Sequence, residues 1–126
     1  MPQLKQRAFT LIELMVVMAV IGMLLAVAMP RYVAHVDRAR EAVLRANLRA
    51  VREIIDKFHG DRGRYPDSLE EMVTAGYLRQ IPTDPMTDST LTWRVIRQDG
   101  TNSGAISDLQ SGAAGKASDG SLYAAW

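Results

Sequence analysis

The chain has 126 residues, with 15 basic and 14 acidic side chains and a formal net charge of +1. No global attraction to nucleic acid or to an anionic membrane surface follows from that balance. It has no cysteine, which excludes a disulfide framework and a thiolate metal site, and its length allows one domain at most.

The first eight residues, Met1 to Ala8, carry Lys5 and Arg7 and no acid, so the positive-inside rule keeps them cytoplasmic. Without them the remainder has 13 basic residues against 14 acids. From Phe9 to Met29 the chain is apolar, interrupted only by Thr10, Glu13 and Gly22. As a helix rising about 1.5 Å per residue this stretch spans roughly 30 Å, enough to cross a hydrocarbon core. Glu13 is costly there. An acid at a bilayer centre costs about 2.5–3.5 kcal/mol to insert, less near the interface, so this carboxylate asks for a partner.

Pro30 follows and is expected to kink the helix. From 31 to 59 the pattern resumes as an amphipathic helix. Val36, Val43, Val51, Ile54 and Phe58 share a face with Ala39, Ala46, Asn47 and Ala50. The opposite face carries Arg38, Arg40, Glu41, Arg45, Arg49, Arg52, Glu53 and Lys57, and reads as a solvated surface making salt bridges between subunits. Phe9 to His59 is thus one helix with a bend, half in lipid and half on a small domain.

Gly60, Gly63 and Pro66 end that helix. Asp67 with Glu70 forms a capping pair for a short helix over 68–75, which Gly76 terminates. Ile81-Pro82-Thr83-Asp84-Pro85 is a turn-rich loop. Residues 91–98 alternate as a strand, Asp99-Gly100 is a hairpin signal, and 105–109 is the return strand. A loop rich in glycine, alanine, serine and aspartate leads to Trp126.

A basic leader, a small residue, then Phe9-Thr10-Leu11-Ile12-Glu13 and an apolar helix reaching Pro30 resemble the type IV pilin-like proteins. In that family an inner-membrane prepilin peptidase cuts after the small residue and N-methylates the new terminal Phe. The resemblance implies a cut between Ala8 and Phe9 and N-methylation of Phe9. It also implies that Glu13 neutralises the terminal amine of a neighbouring subunit in a fibre, with Pro30 at the family's helix-bending proline. The physics agrees, since an ammonium and a carboxylate in a low-dielectric bundle relieve each other's desolvation. Ala8 is a departure from the family's usual glycine.

Tyr65-Pro66, Ile81 to Pro85, a strand with Trp93, Asp108 with Ser111-Gly112, Asp119-Gly120 and the closing Trp126 resemble the major pseudopilins of type II secretion systems. Those proteins hold the C-terminal loop with calcium, and the resemblance implies Asp108 and Asp119 as side-chain ligands, with loop carbonyls completing the shell. The two acids stand farther apart in sequence than is usual in that family.

Plainer readings stand beside these. Lys5 and Arg7 before an apolar run also describe a secretory signal, with Ala26-Val27-Ala28 fitting a cut before Met29. Glu13 and Pro30 argue against it. The arginine stripe could meet DNA, but Asp37, Glu41 and Glu53 intersperse it. His35 and His59 are isolated, and Asp108 and Asp119 also suit turns. Nothing places a catalytic triad, so catalysis is not expected.

The expectation is therefore an α+β, pilin-like fold, with a long bent N-terminal helix packed on a small antiparallel sheet. Its parts are leader 1–8, transmembrane and assembly helix 9–30, and periplasmic domain 31–126, whose sheet and C-terminal loop occupy 91–126. Its task is expected to be a subunit of a type II secretion pseudopilus in the bacterial inner membrane, later a periplasmic fibre that helps export folded proteins. Partners are further copies of itself, prepilin peptidase, an inner-membrane assembly platform and minor pseudopilins, with no nucleic acid and with calcium as cofactor. The alternatives are a type IV pilin for adhesion, motility or DNA uptake, and a soluble domain released after Ala28.

Overall fold

A computed structural model describes residues 8–100 and 104–126. The leader expectation, on residues 1–8, lies outside the described residues except for Ala8. The elements are helix α1 (Leu11–Arg62), helix α2 (Leu69–Thr74), strand β1 (Arg94–Arg97), strand β2 (Ile106–Gln110) and a closing 3-10 turn, Tyr123–Ala125. A helix of 52 residues plus a two-stranded antiparallel sheet makes the fold α+β and pilin-like. Pro30 sits inside α1, where its ring removes the proton that the carbonyl four residues earlier would accept. The helix continues past it.

The chain divides into two compact units, one up to Val36 and one from Asp37 to Trp126. In the first, every described residue through His35 is exposed. Phe9 is 91 % exposed and Met23 75 %. A helix apolar on all sides and bare on all sides needs lipid or other helices around it. By length and composition this helix can cross a membrane.

In the second unit α1 buries Glu41, Leu44, Leu48, Val51, Ile55 and Phe58. These recur at alternating spacings of three and four, the seam a helix presents to one partner surface. They pack with Leu69 and Met72 of α2, with Trp93, and with Ile106 and Leu109 of β2. The expected stripe is corrected here. Val51 and Phe58 belong to the seam, but Val43 is 49 % exposed while Leu44 and Ile55 are fully buried. At about 100° per residue the buried face is turned by roughly a quarter of a circle from the expected one. The turn brings Glu41, read from the sequence as solvated, into the interior.

The N-cap of α2 is Ser68, whose hydroxyl oxygen accepts from Glu71 N at 3.1 Å. Glu71 Oε2 in turn accepts from Asp67 N at 2.7 Å. The capping pair is therefore Ser68 with Glu71, one residue later than Asp67 with Glu70. Gly76 closes the helix at φ +84°, a conformation that suits glycine.

β1 pairs with β2 through Val95↔Leu109 and Ile96↔Asp108, and a bulge falls between Ile96 and Arg97. The strand is shorter than the expected 91–98 because Leu91 is 88 % exposed and Trp93 leaves the ladder. The Trp93 indole donates instead to Pro82 O at 2.7 Å. The 81–85 loop is fixed by Asp84, which is fully buried. Its carboxylate accepts from Met86 N at 2.8 Å and from the Ser111 hydroxyl at 2.6 Å.

Candidate assembly site

The start of α1 is built by four residues. Thr10 Oγ1 accepts from Glu13 N at 3.2 Å, and Glu13 Oε2 accepts from Thr10 N at 3.2 Å. This reciprocal arrangement is a capping box, with the threonine at the N-cap and the glutamate three residues on. It satisfies two amides that a helix leaves unpaired at its first turn. Glu13 thus lies in the first turn of the apolar helix, at the positive end of the helix dipole, where a carboxylate is favoured. Among the described residues Oε1 has no hydrogen-bond partner, so this oxygen is available to a cation from outside the chain. Phe9, Ile12, Glu13, Leu14, Val16 and Val17 line an almost wholly apolar surface hollow beside it. Ala8, Phe9 and Thr10 precede the helix and are exposed, so the Ala8–Phe9 peptide bond lies on accessible, non-helical backbone. The Ala28–Met29 bond, by contrast, is inside α1.

The second polar cluster ties the C-terminal loop to α1. Glu41 accepts from Ser118 N and the Ser118 hydroxyl, both at 2.7 Å, and from the Tyr123 hydroxyl at 3.1 Å. The Ser118 hydroxyl, ahead of the opposing effect of burial, holds the Glu41 carboxyl below its ordinary value. Burial, with Glu41 beside it, raises the Tyr123 phenol. One helical turn on, Arg45 pairs with Asp119 at 3.0 Å and lies over the Trp126 ring, 4.1 Å from its centroid. Two turns further, Arg52 donates through Nε to Asp108 Oδ1 at 2.7 Å. It donates through Nη2 to Leu109 O at 2.9 Å and Trp126 O at 2.8 Å.

Asp108 and Asp119 are therefore near the same loop, but each is held by its own arginine. Asp119 Oδ1 also accepts from Ser121 N at 2.9 Å and from the Ser121 hydroxyl at 2.5 Å. That hydroxyl is the leading cause of the lowered Asp119 carboxyl. A calcium ion needs six to eight oxygens pointing at one centre. Here the carboxylates and two nearby carbonyls point at guanidinium protons. Among the described residues no three His, Cys, Asp or Glu side chains gather in one place. This donor set does not fit calcium.

The sequence reading missed this ladder because it placed Glu41, Arg45 and Arg52 on the solvated face. Their positions at i, i+4 and i+11 share one side of the helix, which was the available signal. Thr10 with Glu13 was also legible as the T-x-x-E signature of a capping box.

An exposed, membrane-length helix that carries one capped carboxylate at its start, joined to a small α+β domain, defines a membrane-anchored subunit of the type IV pilin kind. Residues 3–29 match the family described as the prokaryotic N-terminal methylation motif. The chain is 31% identical over 101 residues to the type II secretion system core protein G of Pseudomonas aeruginosa, covering 68% of this chain and 71% of that one. To core protein G of Klebsiella pneumoniae it is 30% identical over 97 residues, covering 64% and 69%. It is also 37% identical over 68 residues to the type IV major pilin protein PilA of Myxococcus xanthus, covering 54% of this chain and 31% of that one. No solved structure matches it. The chain belongs to the type II secretion system core protein G family.

Proposed function

We propose that this protein is the repeating subunit of a type II secretion pseudopilus. It waits in the inner membrane on the apolar part of α1, with its 37–126 unit in the periplasm, and is cut between Ala8 and Phe9. Phe9 is then N-methylated, and subunits leave the membrane for a helical fibre in which their apolar helices bury one another. Its work is assembly rather than catalysis, and the growing fibre helps to export folded proteins. Its partners are copies of itself, the processing peptidase, the inner-membrane platform and minor pseudopilins.

The observation that carries this reading is Glu13. It sits at the first turn of a helix that is apolar and exposed on every side, with one oxygen spent on the cap and one without a partner among the described residues. An incoming subunit's ammonium at that oxygen would form a pair worth far more in a dry helix bundle than in water. The pilin alternative finds support in PilA, but that likeness reaches 54% of this chain whereas core protein G of Pseudomonas aeruginosa reaches 68%. The likeness to core protein G therefore covers more of this chain.

The test separates charge from capping. Glu13→Gln keeps an oxygen able to accept from Thr10 N but removes the charge, while Glu13→Ala removes both. In cells with their own secretion machinery, both variants insert and accumulate at normal levels but yield few fibres. Normal fibre yield from Glu13→Gln would refute the role given to the charge.

A further inference from the structure

We propose that two arginines of α1 do in this chain the work of a loop cation, so that its C-terminal loop is held without calcium. The loop from Ala113 to Trp126 has little core of its own beyond Ala113 and Ala117, and no cysteine to tie it down. What fixes it is a row of charged groups along one side of α1. Glu41 holds Ser118, Arg45 holds Asp119, and Arg52 holds Asp108 together with the carbonyls of Leu109 and Trp126.

The arrangement at Arg52 has the logic of a cation site. One positive centre gathers a carboxylate from β2, a carbonyl from the same strand and the main-chain oxygen of Trp126. A guanidinium offers five protons in a fixed planar fork, and this one spends three of them on three oxygens from two segments. A bound ion would have to join Asp108 to the loop at Asp119, and here Arg52 and Arg45 hold those two carboxylates one each. Arg45 completes the hold by placing its guanidinium over the Trp126 ring, where the cation meets the negative face of the indole. A divalent ion that took both carboxylates would compete with both guanidiniums and face them as like charges.

The experiment uses the full chain in detergent micelles. Both tryptophans, Trp93 and Trp126, lie in the 37–126 unit, so thermal unfolding followed by indole fluorescence reports on that unit. The parent protein is melted with excess EDTA and with millimolar calcium, and calcium binding is measured by calorimetry. The midpoints agree within error and no saturable binding heat is seen. Arg52→Gln lowers the midpoint by on the order of 5 °C or more, and Arg52→Lys, which keeps the charge but not the fork, recovers only part of that loss. A midpoint that falls with EDTA, or saturable calcium binding by the parent, would overturn the proposal. So would an Arg52→Gln protein that melts with the parent. If Arg52→Gln does not fold, the chelator comparison on the parent still decides.

Discussion

Replacing Glu41 by alanine should destabilise the 37–126 unit more than any other single change of a charged residue on α1. The carboxylate is 8 % exposed and accepts three hydrogen bonds from a segment more than seventy residues away. A hydrogen bond to a charged group contributes about 1.5–3 kcal/mol, and burying the charge offsets part of the sum. Truncation also leaves the Ser118 amide and the Tyr123 hydroxyl without their acceptor. The net loss is about 3 kcal/mol, which for a unit of this size lowers the melting midpoint by about 10–20 °C. Glu41→Gln keeps the shape and one acceptor oxygen and loses about half as much.

The same carboxyl carries a pH signature. Its folded value is lowered beneath the ordinary 4.5, so near and below that pH the unfolded chain binds more protons than the folded one. Its contribution is complete above about pH 4.5 and fades as pH falls through the folded value. Melting followed by tryptophan fluorescence from about pH 3 to 7 spans the window. Acid should cost the parent more than it costs Glu41→Gln. A Glu41→Ala midpoint within about 2 °C of the parent, or parallel acid profiles for parent and Glu41→Gln, would refute the assignment of this residue as the clamp.

Other expectations are read by the same melting assay. A Cβ on Gly112 would lie 1.9 Å from Thr92 O, a backbone atom, so Gly112→Ala should lower stability by at least about 2 kcal/mol. Gly60, inside α1 with open space at its Cβ position, should gain about 0.5–1 kcal/mol on becoming alanine, which serves as the control. Ser111→Ala removes the hydroxyl that donates to buried Asp84 and accepts from Ala113 N. It should cost about 1–3 kcal/mol, and no change in midpoint would mean that another donor takes its place.

The assembly half of the molecule was legible because its chemistry is local. The apolar run, Glu13 and the residues around Ala8–Phe9 are neighbours in the chain, and their meaning depends on hydrocarbon and charge rather than on distant contacts. The core seam was harder. Valines and alanines suggested one face, yet the face that packs is set by leucines and isoleucine meeting Met72, Trp93, Ile106 and Leu109, which pattern alone does not place. The ladder of Glu41, Arg45 and Arg52 was hidden for the same reason. A charge looks solvated until the segment that folds over it is known, and that segment is the end of the chain. Asp108 and Asp119, which the resemblance implies as calcium ligands, instead face two arginines of α1. The capping pair of α2 slipped by one residue because serine and aspartate both cap well, and Ser68 has the extended backbone, φ −152° and ψ 164°, that the position requires.

The central claim is that the chain enters a fibre by way of a new N-terminus at Phe9. The direct measurement is the intact mass and N-terminal sequence of the protein purified from cells carrying its own processing enzymes. The expected product begins at N-methylated Phe9, whose ammonium can meet Glu13 of a neighbour. A chain beginning at Met29 would contradict it, since that product has lost Glu13 and the assembly helix together.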